Sequence, residues 1–146
     1  MNRTKTAPRV LSVLAALCLL LTSLTACSGG ITREEAKTAM DALLTALDNE
    51  NYAEAAALYH PDAAMTEDLL AAFAEQVKTK VGIDLTEGAV VEKITGMSSS
   101  YYDSNVDGSR YALTARIKAG DKTADLTVEV IRNDKGYGIF KVECNP

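Results

Sequence analysis

The hydrophobic positions of the chain change their period once, near Gly82. Before this glycine, apolar residues recur every three or four positions, which is the spacing of one face of an α-helix. After it, they alternate with polar residues, as in strands that bury one face. The pattern therefore predicts an α+β domain, in which three N-terminal helices pack on a curved, four-stranded antiparallel meander sheet.

Three helices are predicted, over residues 32–48, 52–59 and 66–81. Thr32 and Glu35 fit a capping box at the start of the first helix, and His60-Pro61 should end the second, because a residue before proline avoids the helical region. Gly82 suits the left-handed position after the third. The predicted buried faces comprise Ala36, Met40, Leu43, Leu44 and Leu47 in the first helix and Leu69, Leu70, Phe73 and Val77 in the third.

Four strands are predicted after Gly82. The first, near residues 89–102, has no clear buried face, whereas the other three alternate. Gly120-Asp121 and the stretch from Asn133 to Gly136 supply the turns between them. The inward positions are Tyr111, Leu113, Ala115 and Ile117, then Ala124, Leu126, Val128 and Val130, and finally Gly138, Phe140, Val142 and Cys144, while Glu129 and Lys141 are among the outward ones.

A separate apolar run, from Val10 to Leu21, precedes all of these elements. Three basic residues stand before it, and Leu24-Thr25-Ala26-Cys27 follows. The run is shorter than the ~20 residues of a membrane-spanning helix, and its order of charge, apolar core and small residues is typical of an export signal. The four residues ending at Cys27 resemble the lipobox of bacterial lipoproteins. The resemblance implies cleavage between Ala26 and Cys27, a diacylglycerol on Cys27, and a location on the outer, extracytoplasmic face of a bacterial membrane.

This interpretation divides the chain into a signal peptide (residues 1–26), a lipid attachment and linker (27–30) and a single domain (31–146). The full chain has a formal charge of −5, and the 120 residues after the signal carry 12 Lys and Arg against 20 Asp and Glu, which is −8. Because phosphate binding depends on positive charge, this balance argues against nucleic acid as a partner. The lipid would then hold the domain at the membrane.

The stretch LLTALDNENYAEAAALYHPD, followed by a sheet that ends the chain, is similar to the nuclear transport factor 2-like, or cystatin-like, superfamily. The resemblance implies a first helix lying in a cone formed by a bent sheet. The candidate cavity residues would be Met40, Leu44, Phe73, Tyr111 and Phe140. We expect a non-enzymatic module without a cofactor, which binds a small apolar ligand or an envelope protein. An isomerase- or dehydratase-like enzyme and a structural role in envelope assembly are the alternatives.

The stretch from Asp103 to Gly108 matches the first half of a calcium loop, in which Asp103, Asn105 and Asp107 would supply oxygen ligands. The acidic ligand expected at the twelfth position is missing, since Thr114 stands there. Asp, Asn and Gly are also the usual residues of hairpin loops. A calcium site and a plain hairpin loop are therefore the two interpretations of this stretch.

Two further residues have two interpretations each. His60 is the only histidine and could act as an acid or base in a cavity, or it could lie at the surface beside the last carbonyls of a helix. Cys144 is the one cysteine outside the signal and the lipid site, so no intramolecular disulfide is expected in the processed chain. Its alternation with Phe140 and Val142 favours a buried, inert thiol, and the alternative is an exposed thiol that pairs between chains.

Overall fold

Helices occupy the first half of the described chain and strands the second. The computed structural model describes residues 30–100 and 108–146, apart from the side chain of Ser100. The strands form one antiparallel sheet in chain order, so the prediction of an α+β domain with a four-stranded meander is confirmed. The elements are α1 (Arg33–Asp48), α2 (Tyr52–Ala57), a 3-10 turn (Pro61–Ala63), α3 (Glu67–Gln76), a π turn (Val77–Val81), β1 (Val90–Ser100), β2 (Ser109–Ala119), β3 (Lys122–Asn133) and β4 (Gly136–Asn145).

Helix α1 begins with the predicted capping box. The Thr32 hydroxyl accepts a hydrogen bond from the Glu35 amide at 3.2 Å, and the Thr32 amide donates to the Glu35 carboxylate at 2.8 Å. These two bonds satisfy amides that the first turn of a helix leaves without partners. The predicted apolar stripe is confirmed and packs against the sheet, and it consists of Ala36, Met40, Leu43, Leu44 and Leu47 together with Ala46.

Helix α2 is shorter than predicted. It ends at Ala57 because the following residues pair with the edge of β4 instead of continuing the helix. The Ile139 amide donates to the Leu58 carbonyl at 2.9 Å, and the His60 amide donates to the Ile139 carbonyl at 2.8 Å. The prediction that the helix extends to Tyr59 is therefore wrong, since an edge strand 80 residues away competes for the same backbone groups.

The third predicted helix divides into two parts. Thr66 caps α3 and Gly82 adopts the predicted left-handed conformation, but the α-helix ends at Gln76 and the last turn is a wider π turn. The buried face is also narrower than predicted. Leu70 and Val77 are buried and Phe73 is half-buried, whereas Leu69 is 54% exposed, so the prediction is wrong at Leu69.

Strands β2 and β3 bury their predicted faces. All eight apolar positions predicted to point inward there, from Tyr111 to Ile117 and from Ala124 to Val130, belong to the core. Glu129 was expected to be exposed, but it is only 6% exposed and forms an ion pair with Arg110 on the neighbouring strand. The opposite face of the sheet is thus partly covered near Glu129.

Strand β4 contains a bulge that displaces Phe140. Val130 lies opposite Ile139 and Glu129 lies opposite Lys141, so Phe140 is the additional residue between the two pairs. A bulge shifts the alternation of side chains by one position. Ile139 takes the buried place and Phe140 is half-buried, so the prediction that Phe140 points into the core is wrong.

Strand β1 lies at the other edge of the sheet. Its pairing with β2 shifts register twice, between Val91 and Lys93 and between Ile94 and Gly96. Each shift changes the face that the following residues present. This explains why no regular alternation could be found in this part of the sequence.

The start of α1 is bound to the β3–β4 hairpin by polar contacts. An Arg132 guanidinium nitrogen lies 2.6 Å from a Glu35 carboxylate oxygen, and the Tyr137 hydroxyl donates to the Glu35 carbonyl at 3.0 Å. The guanidinium also stacks over the Tyr137 ring, 5.0 Å from its centre. Together these contacts join the first and last parts of the domain.

Candidate functional site

A groove of about 310 Å³ lies between the end of α3 and the second half of β4. We call it the α3–β4 groove. It is open to solvent, and its volume lies at the lower end of the range for small-molecule sites. Its lining consists of Phe73, Gln76, Val77, Lys80 and Val81 on the helical side and Val142, Glu143, Cys144 and Asn145 on the strand.

The floor of the groove is apolar. Val77 is buried, while Phe73, Val81, Val142 and Cys144 are half-buried and pack against the core. Because these side chains are supported from below and partly exposed above, they offer some apolar surface without forming an enclosed cavity. Polar groups supply a comparable share of the accessible lining, so the groove suits an occupant that carries both apolar and polar side chains.

The π turn sets the helical wall of the groove. Its i to i+5 hydrogen bond runs from the Gly82 amide to the Val77 carbonyl at 3.0 Å, and the Lys122 ammonium donates to the Gly82 carbonyl at 2.8 Å. Turns of this kind within α-helices occur frequently at functional sites. Here the wider turn places Lys80 and Val81 along the groove.

Within the described residues, the rim of the groove carries one cation without a partner, Lys80. Glu143 forms an ion pair with Lys141 at 2.7 Å, and Lys78 forms one with Asp84 at 2.7 Å. Lys80 is exposed and makes no hydrogen bond or ion pair within residues 30–100 and 108–146. Its charge is therefore available to a negatively charged ligand.

Cys144 presents a weakly reactive thiol to the groove. Burial, together with the nearby Asp125 carboxylate, raises the pKa of this thiol to about 11. The thiol is then protonated at neutral pH, and the protonated form is a poor nucleophile. The predicted burial of Cys144 is partly observed, since the residue packs against the core but is half-buried.

One side of β4 is only partly covered. β4 is the last strand of the sheet, and Leu58 and His60 bond to its outer side at Ile139. Beyond Phe140, no further backbone hydrogen bond crosses this outer side within the part of the chain that the structure describes. The groove therefore borders an edge that retains free backbone donors and acceptors.

The polar face of the sheet carries an ion pair between neighbouring strands as well as exposed charges such as Lys118. Arg116 holds the Asp125 carboxylate with two hydrogen bonds of 2.8 and 3.0 Å. Thr114 and Thr127 share a hydrogen bond of 2.9 Å beside this pair. These cross-strand contacts stabilise the sheet.

His60 has a structural role. It is 1% exposed, so the prediction of a surface position is wrong. The Asp62 amide donates to its Nδ1 at 3.1 Å, which places the proton on Nε2, and Nε2 donates to the Asn133 side-chain oxygen at 2.9 Å. Both ring nitrogens are thus engaged by protein groups, and the side chain joins the 3-10 turn to the β3–β4 hairpin.

The predicted cavity residues are not brought together around one space. Met40, Leu44 and Tyr111 are buried in the core, and the Tyr111 hydroxyl donates to the Met97 sulfur at 3.4 Å. Phe73 lines the α3–β4 groove instead, and Phe140 occupies the bulge of β4. Sequence reasoning missed Gln76, Lys80, Val81, Glu143 and Asn145, because no local pattern indicates that the end of the third helix lies beside the last strand.

Several predicted sites lie outside the described residues. These are the cleavage and lipid positions Ala26 and Cys27 and the weak calcium candidates Asp103, Asn105 and Asp107. Among the residues that are described, no group of three or more His, Cys, Asp and Glu side chains could hold a metal ion. The helices of residues 30–100 and 108–146 include none with the length and apolar character needed to cross a membrane.

Comparisons of the chain with protein-family models, with curated proteins and with solved structures gave no match.

Proposed function

We propose that this protein is a lipid-anchored binding module on the outer face of a bacterial membrane, and that it engages a protein partner. The proposed location is supported by the lipobox-like residues 24–27, with Cys27 as the acceptor of diacylglycerol. Ile31 is already part of the core. Three linker residues, Ser28 to Gly30, would therefore hold the domain within ~10 Å of the lipid.

The α3–β4 groove is the single observation that carries the binding function. In the described part of the chain, it combines apolar side chains, the unpartnered cation Lys80 and a strand edge without a backbone partner beyond Phe140. The predicted interior site has less support, because Met40 and Leu44 serve as packed core residues. A protein partner at an open groove is therefore favoured over a small apolar ligand in a cavity.

The proposed fold is the cone of the nuclear transport factor 2-like superfamily, with a curved sheet around α1. Its support is the packing of α1 against one face of a four-stranded antiparallel sheet. An isomerase- or dehydratase-like enzyme stays the alternative prediction. That activity would need two titratable groups facing one cavity.

The lipid anchor can be tested by metabolic labelling with an alkyne-tagged palmitate in a bacterial host. We expect the wild-type protein to incorporate the label and to sediment with membranes, and Cys27→Ser to lose both properties. Cys18→Ser and Cys144→Ser are matched controls that should keep both. Labelling that persists in Cys27→Ser, or a wild-type protein without label, would contradict the proposal.

A further inference from the structure

The outer edge of β4 can accept a further strand. Within a strand, backbone groups point alternately toward one neighbour and the other. Leu58 and His60 occupy the outer side at Ile139. Among residues 30–100 and 108–146, no backbone group bonds to the outward N–H and C=O groups of the stretch from Lys141 to Asn145. Five residues of strand extend roughly 16 Å, which is enough to pair with a short extended peptide.

The groove floor offers space for side chains of such a peptide. In an added strand, every second side chain would point toward Phe73, Val77 and Val81, and the others toward solvent. A strand edge beside a helix, with apolar side chains between them, is a common arrangement for peptide capture by strand addition. The backbone supplies affinity in this mode, and the pocket selects the side chains.

The positive charge of Lys80 at the rim indicates which charge the bound peptide carries. Lys80 has no partner in the described structure, while the neighbouring Glu143 is already paired with Lys141. A negative group on the ligand is therefore attracted to the helical side of the groove, and an acidic residue next to apolar ones satisfies both features.

The position of the groove argues for a protein rather than a membrane lipid. Tyr137 contacts the first turn of α1, next to the expected anchor, whereas Cys144 lies at the far end of the same strand. Seven residues of strand separate the two by roughly 20 Å. In the anchored protein, the groove would thus lie at the end of β4 that is remote from the anchor.

We propose that the α3–β4 groove binds an extended, apolar and acidic peptide segment of a partner protein, which adds as a strand to β4 next to Lys80. The inference deepens the proposed function and rests on it. The peptide pairs with the backbone of residues 141–145, places apolar side chains on Phe73, Val77 and Val81, and directs a carboxylate to Lys80.

The test uses the protein purified from bacterial membranes in mild detergent, with a phage-displayed library of random seven-residue peptides. We expect enrichment of peptides in which every second residue is β-branched or otherwise apolar and which contain Asp or Glu. The best peptide, labelled with fluorescein, should bind with an affinity that Lys80→Glu weakens about three- to tenfold. Lys118→Glu, an exposed lysine on the polar sheet face, is the matched control and should leave affinity unchanged.

Backbone pairing is tested with N-methylated versions of the same peptide. Two versions are compared, one methylated at the odd-numbered amides and the other at the even-numbered amides. One version should lose affinity at least about tenfold and the other little, since only alternate amides face β4. Hydrogen exchange should show new protection at residues 141–145. The inference would be overturned by any of four results. These are no enrichment of such peptides, equal effects of Lys80→Glu and Lys118→Glu on affinity, full affinity of both methylated versions, or protection from exchange only outside residues 141–145.

Two further outcomes separate the possible errors. If fluorescent dodecanoate binds the groove and displaces the peptide, the occupant is a lipid and the peptide assignment is wrong. If palmitate labelling succeeds but no peptide binds, the lipid anchor stands and the strand-addition inference fails. If the protein binds the peptide but incorporates no palmitate label, peptide binding at the groove stands and the proposed membrane anchor is wrong.

Discussion

Gly138 lies where two backbone segments come into contact. A Cβ atom placed on it would be 2.5 Å from the His60 amide nitrogen and 2.8 Å from the Tyr59 carbonyl carbon. Both neighbours are backbone atoms, which cannot move aside as a flexible side chain can. Only glycine therefore permits the pairing of Leu58 and His60 with Ile139.

Gly138→Ala should lower the free energy of unfolding by about 1–3 kcal/mol, because the added methyl group forces the two segments apart. Urea denaturation followed by circular dichroism measures this change. Gly96→Ala is the matched control in another edge strand. Its Cβ would be 3.6 Å from a Thr114 side-chain atom, an ordinary contact, so its stability should stay close to wild type. Equal losses in the two variants would contradict this account.

Single-residue predictions from sequence failed where a distant segment or a register change decided the outcome. Met40 and Leu44 were placed correctly, since helical spacing alone determines which face of α1 is apolar. Phe140 was misplaced because the alternation pattern contains no sign of the bulge. His60 was expected at the surface because its partner Asn133 is 73 residues away in the sequence.

The π turn is connected to the loop after it through Asp84. The Lys78 ammonium lies 2.7 Å from one carboxylate oxygen, and the Thr86 amide and hydroxyl donate to the other at 3.0 and 2.7 Å. The Lys78 hydrogen bond and then the Thr86 bonds lower the pKa of Asp84 from 3.8 to about 2. The charged carboxylate thus stabilises the wall of the groove.

Asp84→Asn should reduce stability at neutral pH, and the difference from wild type should shrink in acid. A folded-state pKa below the unfolded value stabilises the protein above about pH 4, and this contribution is lost as the pH falls from about 4 toward 2. Denaturation at a series of pH values measures the difference. Asp121→Asn, in the β2–β3 turn, is the control. A difference that does not depend on pH would contradict the assigned role.

Whole elements were predicted well where the pattern was local. Thr32, Thr66 and Gly82 mark helix ends by chemistry that acts within a few residues, and the structure confirms all three. The shortening of α2 depends on the pairing of the residues after it with β4. Such contacts join residues far apart in sequence, so local propensity could not reveal them.

Glu35 connects the two ends of the described domain. Its carboxylate contacts Arg132, 97 residues later, and its carbonyl accepts from Tyr137, 102 residues later. Burial opposes ionisation of this carboxyl, but the hydrogen bonds from Thr32 and Arg132 outweigh it and lower the pKa of Glu35. The ion pair therefore forms only when α1 and the last hairpin are both in place.

Glu35→Gln should speed unfolding about two- to fivefold and leave the folding rate nearly unchanged. Glutamine keeps the capping geometry but loses the ion pair, worth about 0.5–1 kcal/mol, and contacts that form late in folding affect mainly the unfolding rate. Stopped-flow denaturant jumps measure both rates. Glu34→Gln, an exposed neighbour, should change neither rate substantially. A slower folding rate in Glu35→Gln would indicate that the contact forms early.

At the scale of the whole molecule, the sequence predicted the layers but not the groove. The number of strands, their order and the buried face of α1 follow from periodicity and turn residues. The groove combines residues 73–81 with residues 142–145, and it depends on an open edge and a π turn. Nothing in the pattern of either segment indicates that the other lies beside it.

The contacts of Glu35 with Arg132 and Tyr137 have a consequence for the order of folding if the chain is exported as we propose. A chain that crosses a membrane channel emerges from its N-terminus as an extended polymer, and α1 would reach the far side first. Arg132 and Tyr137 lie on the last hairpin, so the contacts of Glu35 with them would form only after almost all of the sequence has passed. In the proposed exported protein, the complete domain would therefore form only after the last hairpin has crossed.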